Sequence, residues 1–182
     1  MALFKRKSDA EKAKILRDHG MSRKKKYWHD YAGFNFRMTN MQAAIGVAQI
    51  KKINILLQNK KKIFNYYDNQ FLKDSKISLL PKNSWSENSY WIYTIRVKNF
   101  NEAKRDKFLK NLQNRGIDCR PGFYPLHLMK PYKSFAKGKF TNSISISKNS
   151  ISLPSAPNLT KNDQDFIIKI FYEEISKFLK LK

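Results

Sequence analysis

An α/β fold is predicted from three features of the sequence. Apolar residues recur with a helical period from Met41 through Phe64, and again from Phe166 to Leu179. Between those helices, residues 90–97 alternate aromatic and β-branched side chains as a strand does. A helix at 101–115 and a short strand at 117–120 then complete a strand-helix-strand core that the last helix closes. No internal repeat interrupts this order.

Each element carries its own signal. Ser8, Asp9, Ala10 and Glu11 spell a capping box for a first helix ending near Asp18, with Gly20 as the left-handed stop. Residues 21–37 mix a basic patch with Tyr27, Trp28, His29, Tyr31, Phe34 and Phe36 at uneven spacing, the mark of a structured loop lining a site or interface. Thr39 and Gln42 form a second capping box, from which one long helix is expected to run to Leu72. Its first turns, Ala43 to Ala48, are small and apolar on every side, so burial is expected there; the later lysine-rich part is amphipathic. Beyond a turn near Pro81 and Asn83 comes the strand at 90–97. Gly116 closes the helix at 101–115. Residues 121–135 are rich in Pro and aromatics and read as irregular, and 143–153 as a short strand. Pro154 and Pro157 bracket a loop, and Thr160 caps the final helix, whose apolar face is Phe166, Ile167, Ile170, Phe171, Ile175, Phe178 and Leu179.

Composition bounds the function. With 182 residues, 41% of them hydrophobic, the chain suffices for one packed domain or the rear of a larger one. One cysteine, Cys119, excludes an intrachain disulfide framework and fits a reducing compartment. No window is apolar for the length of a membrane span, and no apolar stretch follows the basic N-terminus as in a signal peptide, so a cytoplasmic location is expected. The net charge of +23 favours polyanions, but it is spread over the chain and its runs are short, Arg23 to Lys26 and Lys60 to Lys62. Nonspecific contact with nucleic acid is expected from it. No phosphate-binding glycine loop is present, His19, His29, His127 and Cys119 are too scattered for a zinc site, and no nucleophilic triad follows from spacing.

Two stretches stand out. The first runs Tyr27-Trp28-His29-Asp30-Tyr31-Ala32-Gly33-Phe34-Asn35-Phe36-Arg37-Met38-Thr39-Asn40-Met41-Gln42-Ala43-Ala44-Ile45-Gly46. The second is Arg120-Pro121-Gly122-Phe123-Tyr124-Pro125-Leu126-His127-Leu128. Both resemble the DegT/StrS-type sugar aminotransferases, which use pyridoxal 5'-phosphate (PLP); the Tyr-Trp-His lead-in is most like the perosamine-synthase branch. Leu16 to Gly20 and the Ser152-Leu153-Pro154-Ser155 loop match as well, in family order across nearly the whole chain.

The resemblance implies the C-terminal portion of a fold type I PLP-dependent aminotransferase, a small α/β domain plus a long interdomain helix. Residues 1–72 would be the end of the large domain with the active-site loop and connecting helix, and 73–182 the small domain. It implies a homodimer, a nucleotide-linked 4-keto-6-deoxy sugar as substrate, and an amino acid as amino donor. Asn35 matches the asparagine that reaches the cofactor phosphate; taken by itself it reads as a turn-former. Arg37, His127, Tyr124 and His29 match positions near the sugar nucleotide, against the plainer readings of a surface ion pair and loop packing. The Schiff-base lysine of the family lies upstream of the position matching Met1, so the chain alone is expected to be inactive, its site completed by a missing N-terminal segment or another chain. Without that segment the Ala-rich face is expected to be exposed and the chain marginally stable. Relatives that carry histidine for the lysine dehydrate the sugar instead, and a basic nucleic-acid-binding protein is the reading from another class.

Overall fold

The computed structural model describes residues 2–179 and divides into two units, Met1–Lys52 and Ile53–Lys182.

The first unit contains α1 (Lys7–Arg17) and α2 (Asn40–Lys51), joined by an irregular stretch. The cap of α1 differs from expectation. Arg6 is the N-cap residue, and Ser8 and Glu11 lie inside the helix. The Arg6 guanidinium reaches the Asp9 carboxylate at 2.9 Å, while Glu11 pairs with Lys14 at 2.9 Å and Arg23 at 2.6 Å. Two charged partners satisfy that carboxylate better than one neutral backbone N–H would, and chiefly the Lys14 bond holds its pKa below the usual range. Gly20 ends the helix as expected, with φ +68° and its N–H donating to the Ile15 carbonyl at 2.9 Å.

The capping box of α2 also forms: the Thr39 N–H donates to Gln42 Oε1 at 2.9 Å and the Gln42 N–H to Thr39 Oγ1 at 3.3 Å. The expected burial of its first turns does not occur. No residue of α2 is buried, and Met41, Ile45, Val47 and Ile50 are exposed; these residues alone leave the Ala-rich face uncovered. Nor does one helix run to Leu72. Lys52 leaves helical geometry (φ −103°, ψ 2°), its N–H turns to the Gln49 and Ile50 carbonyls, and α3 (Ile53–Phe71) begins. The division between units falls at this break, and Ile63, Phe64, Tyr67 and Phe71 of α3 are buried in the core of the second unit.

That core lies against a four-stranded antiparallel sheet of β1 (Ile77–Ser78), β2 (Tyr93–Val97), β3 (Arg120–Pro121) and β4 (Ser150–Leu153), in the order β1-β2-β4-β3. The pairs Tyr93–Leu153 and Ile95–Ile151 share one buried face. Thr94 and Ser152 pair on the opposite face, their hydroxyls 2.9 Å apart. Helices α4 (Glu102–Asn114) and α6 (Lys161–Leu179) cover the core with α3. Aromatic rings join them: Phe71–Phe171 and Phe108–Phe171 at 5.2 Å, Tyr67–Tyr93 at 4.8 Å.

Three differences from the sequence reading have tertiary causes. β1 pairs with β2 where no strand was expected. Of the strand expected at 117–120 only Arg120 joins the sheet, together with Pro121 from the stretch read as irregular. Of the strand read at 143–153, residues 143–149 belong instead to α5 (Thr141–Asn149), tied to α4 through the Arg105 guanidinium, which donates to the Ser147 carbonyl at 2.6 Å. In α6, Thr160 caps with Asp163 as its partner. Ile167, Ile170, Phe171 and Ile175 are buried, but Phe166 is exposed and Gln164 takes the inward place, donating to the Ile63 carbonyl at 3.0 Å. The Leu179 side chain lies outside the described residues.

Candidate functional site

In the first unit the loop is built on two glycines. A Cβ on Gly33 would lie 2.0 Å from the Gly20 nitrogen, and one on Gly20 would lie 2.0 Å from the Tyr31 carbonyl oxygen. Backbone packs directly on backbone there, which no side chain permits. This contact sends residues 34–36 back along the end of α1. The His19 N–H donates to the Phe34 carbonyl at 2.9 Å, the Phe34 N–H to Leu16 at 2.7 Å and the Phe36 N–H to Arg17 at 3.0 Å. The segment is extended, so its side chains alternate. Phe34 and Phe36 stack at 5.0 Å on one side. Asn35 bridges Asp18, and the Arg37 guanidinium lies 3.5 Å from the Asp18 carboxylate. Asn35 is therefore not a turn residue. Its amide is exposed and makes no side-chain hydrogen bond among the described residues.

His29 sits in the same unit, opposite Met21 in an isolated bridge. Its Nδ1 lies 2.8 Å from the His19 carbonyl oxygen. A carbonyl only accepts, so Nδ1 carries the proton and Nε2 is left as an acceptor. Asn35, Arg37 and His29 thus belong to one braced loop.

Tyr124 and His127 lie in the second unit, in the Pro-rich segment after β3. The Tyr124 hydroxyl accepts from Arg105 Nη2 at 3.1 Å, and the guanidinium lies over the ring at 5.4 Å; its own proton remains available to a ligand. His127 is the central residue of a short 3-10 turn (Leu126–Leu128) and packs on Phe140 at 4.5 Å. Its Nε2 is buried and has no hydrogen-bond partner. Such a nitrogen costs about 1–3 kcal/mol until a partner reaches it.

Sequence reasoning missed the residues that hold this segment. Arg105 is wholly buried, bonded to Ser147, Tyr124 and the Asp106 carboxylate. Lys60, read as part of a short basic run, donates to the Trp91 carbonyl at 2.8 Å and to the Ser155 carbonyl and hydroxyl. Burial lowers its pKa. With Tyr67, whose hydroxyl donates to the Pro154 carbonyl at 3.0 Å, it pins the loop after β4 onto α3. Only the inward position of Tyr67 on the helical period was a signal.

In the first unit an exposed amide and a guanidinium, and in the second a phenol and an unpaired imidazole nitrogen, each suit an anionic or hydroxyl-rich ligand. Cys119 is a poor nucleophile, because burial pushes its thiol pKa up to about 12. Among the described residues no His, Cys, Asp and Glu group is placed to hold a metal, and no helix is long and apolar enough to cross a membrane.

The model of the DegT/DnrJ/EryC1/StrS aminotransferase family matches residues 1–172. The GDP-perosamine synthase of Caulobacter vibrioides is 32% identical over 160 residues, 87% of this chain and 43% of that protein. That of Vibrio cholerae is 35% identical over 150 residues, 82% of this chain and 41% of that protein. Among solved structures, Helicobacter pylori PseC, an aminotransferase involved in pseudoaminic acid biosynthesis, superposes with a TM-score of 0.85 at 24% identity over 94% of this chain and 47% of PseC. Spr1654 of Streptococcus pneumoniae, in its PMP form, gives 0.84 at 28% identity over 96% and 44%. The chain spans less than half the length of these proteins, and its fold is that of the C-terminal part of a fold type I sugar aminotransferase. Enzymes of this kind are PLP-dependent, with PLP and PMP forms among the solved structures. The glycine-braced Asn35–Arg37 edge and the Tyr124–His127 segment both lie within the family match, and the chain belongs to the DegT/DnrJ/EryC1/StrS aminotransferase family.

Proposed function

We propose that these residues form part of a sugar aminotransferase whose substrate is a nucleotide-linked 4-keto-6-deoxy sugar and whose amino donor is an amino acid. The observation that carries this reading is the Asn35–Arg37 edge, an exposed amide and a guanidinium on an extended segment fixed by backbone bonds to α1. An unengaged amide suits a phosphate oxygen, so Asn35 would hold the phosphate of PLP. When bound, the cofactor supplies an electron sink for moving an amino group and a proton at the sugar carbon. Arg37 binds and orients the anionic substrate. His29 accepts a sugar hydroxyl at Nε2, Tyr124 donates its hydroxyl proton, and His127 offers its unpaired nitrogen.

None of the chain's own lysines is assigned to the cofactor. Lys60 is engaged with the Trp91 carbonyl and with Ser155. The Schiff-base lysine comes from a further segment or another chain, and the 182 residues alone are inactive. A homodimer and a cytoplasmic location belong to the same reading; the single cysteine, kept as an unpaired thiol, fits the latter. The test mixes PLP with the 182 residues alone, then with a polypeptide carrying the lysine segment. A lysine-bound cofactor absorbance and transamination of the keto sugar are expected only in the second mixture. Either signal from the 182 residues alone overturns the proposal.

A further inference from the structure

The segment from Gly122 to Phe140 carries both ligand groups proposed for the second unit, Tyr124 and His127, yet little holds it in place. Its start is fixed: the Gly122 N–H donates to the Ser150 carbonyl at 2.9 Å, and a Cβ on Gly122 would meet the Ser150 Cβ at 2.5 Å. Beyond that point its backbone bonds among the described residues are local turns, such as Leu128 to Pro125 and Tyr132 to Met129. Among the same residues one side-chain hydrogen bond reaches the segment, from Arg105 Nη2 to the Tyr124 hydroxyl at 3.1 Å. The same guanidinium donates through Nη1 to the Ser147 carbonyl of α5 at 2.6 Å. Phe140, the N-cap residue of α5, carries the ring on which His127 packs at 4.5 Å. Arg105 therefore reaches Tyr124 directly, and it reaches the backing of His127 through one helix.

Stability alone does not account for this guanidinium. Arg105 is wholly buried, while its carboxylate partners Asp106 and Glu102, at 2.8 and 3.5 Å, are about half exposed and so screened by water. A buried charge with screened partners recovers little of its desolvation cost, and an apolar side chain of similar size fills such a place as well or better. What the planar fork adds is direction, in two bonds that diverge to Ser147 and Tyr124. A guanidinium has five donors and no acceptor, so the Tyr124 oxygen accepts and its one proton points away from Arg105. We infer that Arg105 is a positioning residue for ligand binding. It fixes the Tyr124 hydroxyl as a donor toward a ligand oxygen, and it sets the spacing between that hydroxyl and His127 Nε2. This deepens the sugar aminotransferase reading and rests on it for the identity of the ligand; the fixing of Tyr124 does not depend on it.

The test is a double-variant cycle in the enzyme assembled with its lysine-bearing segment. Arg105→Met keeps most of the side-chain length and removes the fork. It should raise KM for the keto sugar nucleotide by about tenfold and change kcat by less than about threefold, because binding geometry is lost while the reacting groups remain. Tyr124→Phe should do about the same. The double variant should lie within about twofold of the weaker single variant, since both changes remove one contact. An unchanged KM in Arg105→Met overturns the inference, and so do losses that multiply in the double variant, the mark of a mere scaffold. Arg105→Lys keeps the charge without the fork and should resemble Arg105→Met; full recovery of KM contradicts the role of the fork. Where Arg105→Met does not fold cooperatively, Arg105→Lys takes its place in the cycle. A second readout needs no activity: side-chain nitrogen NMR of the 182-residue chain. The Arg105 Nη2 hydrogens should exchange slowly with water, and Tyr124→Phe should speed that exchange by about tenfold; unchanged exchange overturns the inference. If the exchange result holds while the assembled enzyme aminates no nucleotide sugar, the functional reading falls and the placement of Tyr124 by Arg105 stands.

Discussion

The two units are held together by different physics. Among the described residues Ile53–Lys182 has a core of 19 buried hydrophobic residues, in which aromatic rings interlock with aliphatic side chains. In Met1–Lys52 the only buried residue among those described is Gly20. That unit keeps its shape through caps, backbone bonds between α1 and the 34–36 segment, and the contact of two glycines. A hydrophobic core tolerates repacking but not truncation, whereas a shape made by backbone contact tolerates surface change but not one added methyl. The second region therefore supplies stability, and the first supplies a fixed edge with its apolar side chains turned outward.

Substitutions break this comparison in graded order. Phe171→Ala removes a ring that touches both Phe71 and Phe108. It should cost about 3–5 kcal/mol of global stability, read as a lowered urea midpoint. Ile45→Ala on exposed α2 should stay within about 0.5 kcal/mol in the same assay. A comparable loss at both sites would mean that α2 is part of a core.

Gly33→Ala comes next and acts locally. Its Cβ would meet the Gly20 nitrogen at 2.0 Å, so the 19–20 and 31–33 backbones must separate. Hydrogen exchange should show lost protection at the His19 and Phe36 amides, while the cooperative transition of the second unit stays put. Retained protection would show that the glycine contact is incidental.

The smallest effect is a pH dependence confined to the second unit. Burial raises the Cys119 thiol from 9.0 to about 12 in the folded state. Because the raised pKa belongs to the folded form, the stabilisation it reports is complete below pH 9 and is lost as pH climbs toward 12. Cys119→Ala should flatten the fall in stability just above pH 9, checked by urea titration at several pH values. An unchanged slope would contradict burial of the thiol.

Features set by neighbouring residues were legible in the sequence. The Thr39–Gln42 box, the Gly20 stop and the alternation of β2 all depend on side chains a few positions apart, and they form as read. Asn35, Arg37 and His29 were legible as one stretch, though their geometry was not, because the Gly20–Gly33 approach joins distant positions. The break at Lys52 has no glycine or proline to announce it. α5 looks like a strand until Arg105, a residue that ordinarily faces water, turns inward to Ser147. The pairing of Lys60 with Ser155 joins positions 95 apart in sequence, and no local pattern encodes it.

The most direct test of the account concerns Asn35. In the enzyme assembled with its lysine-bearing segment, Asn35→Ala should weaken PLP retention by about tenfold, the worth of one hydrogen bond to a charged phosphate. The thermal midpoint of the second unit should not move. PLP retention equal to that of the unaltered enzyme would contradict the central claim that this backbone-braced edge holds the cofactor.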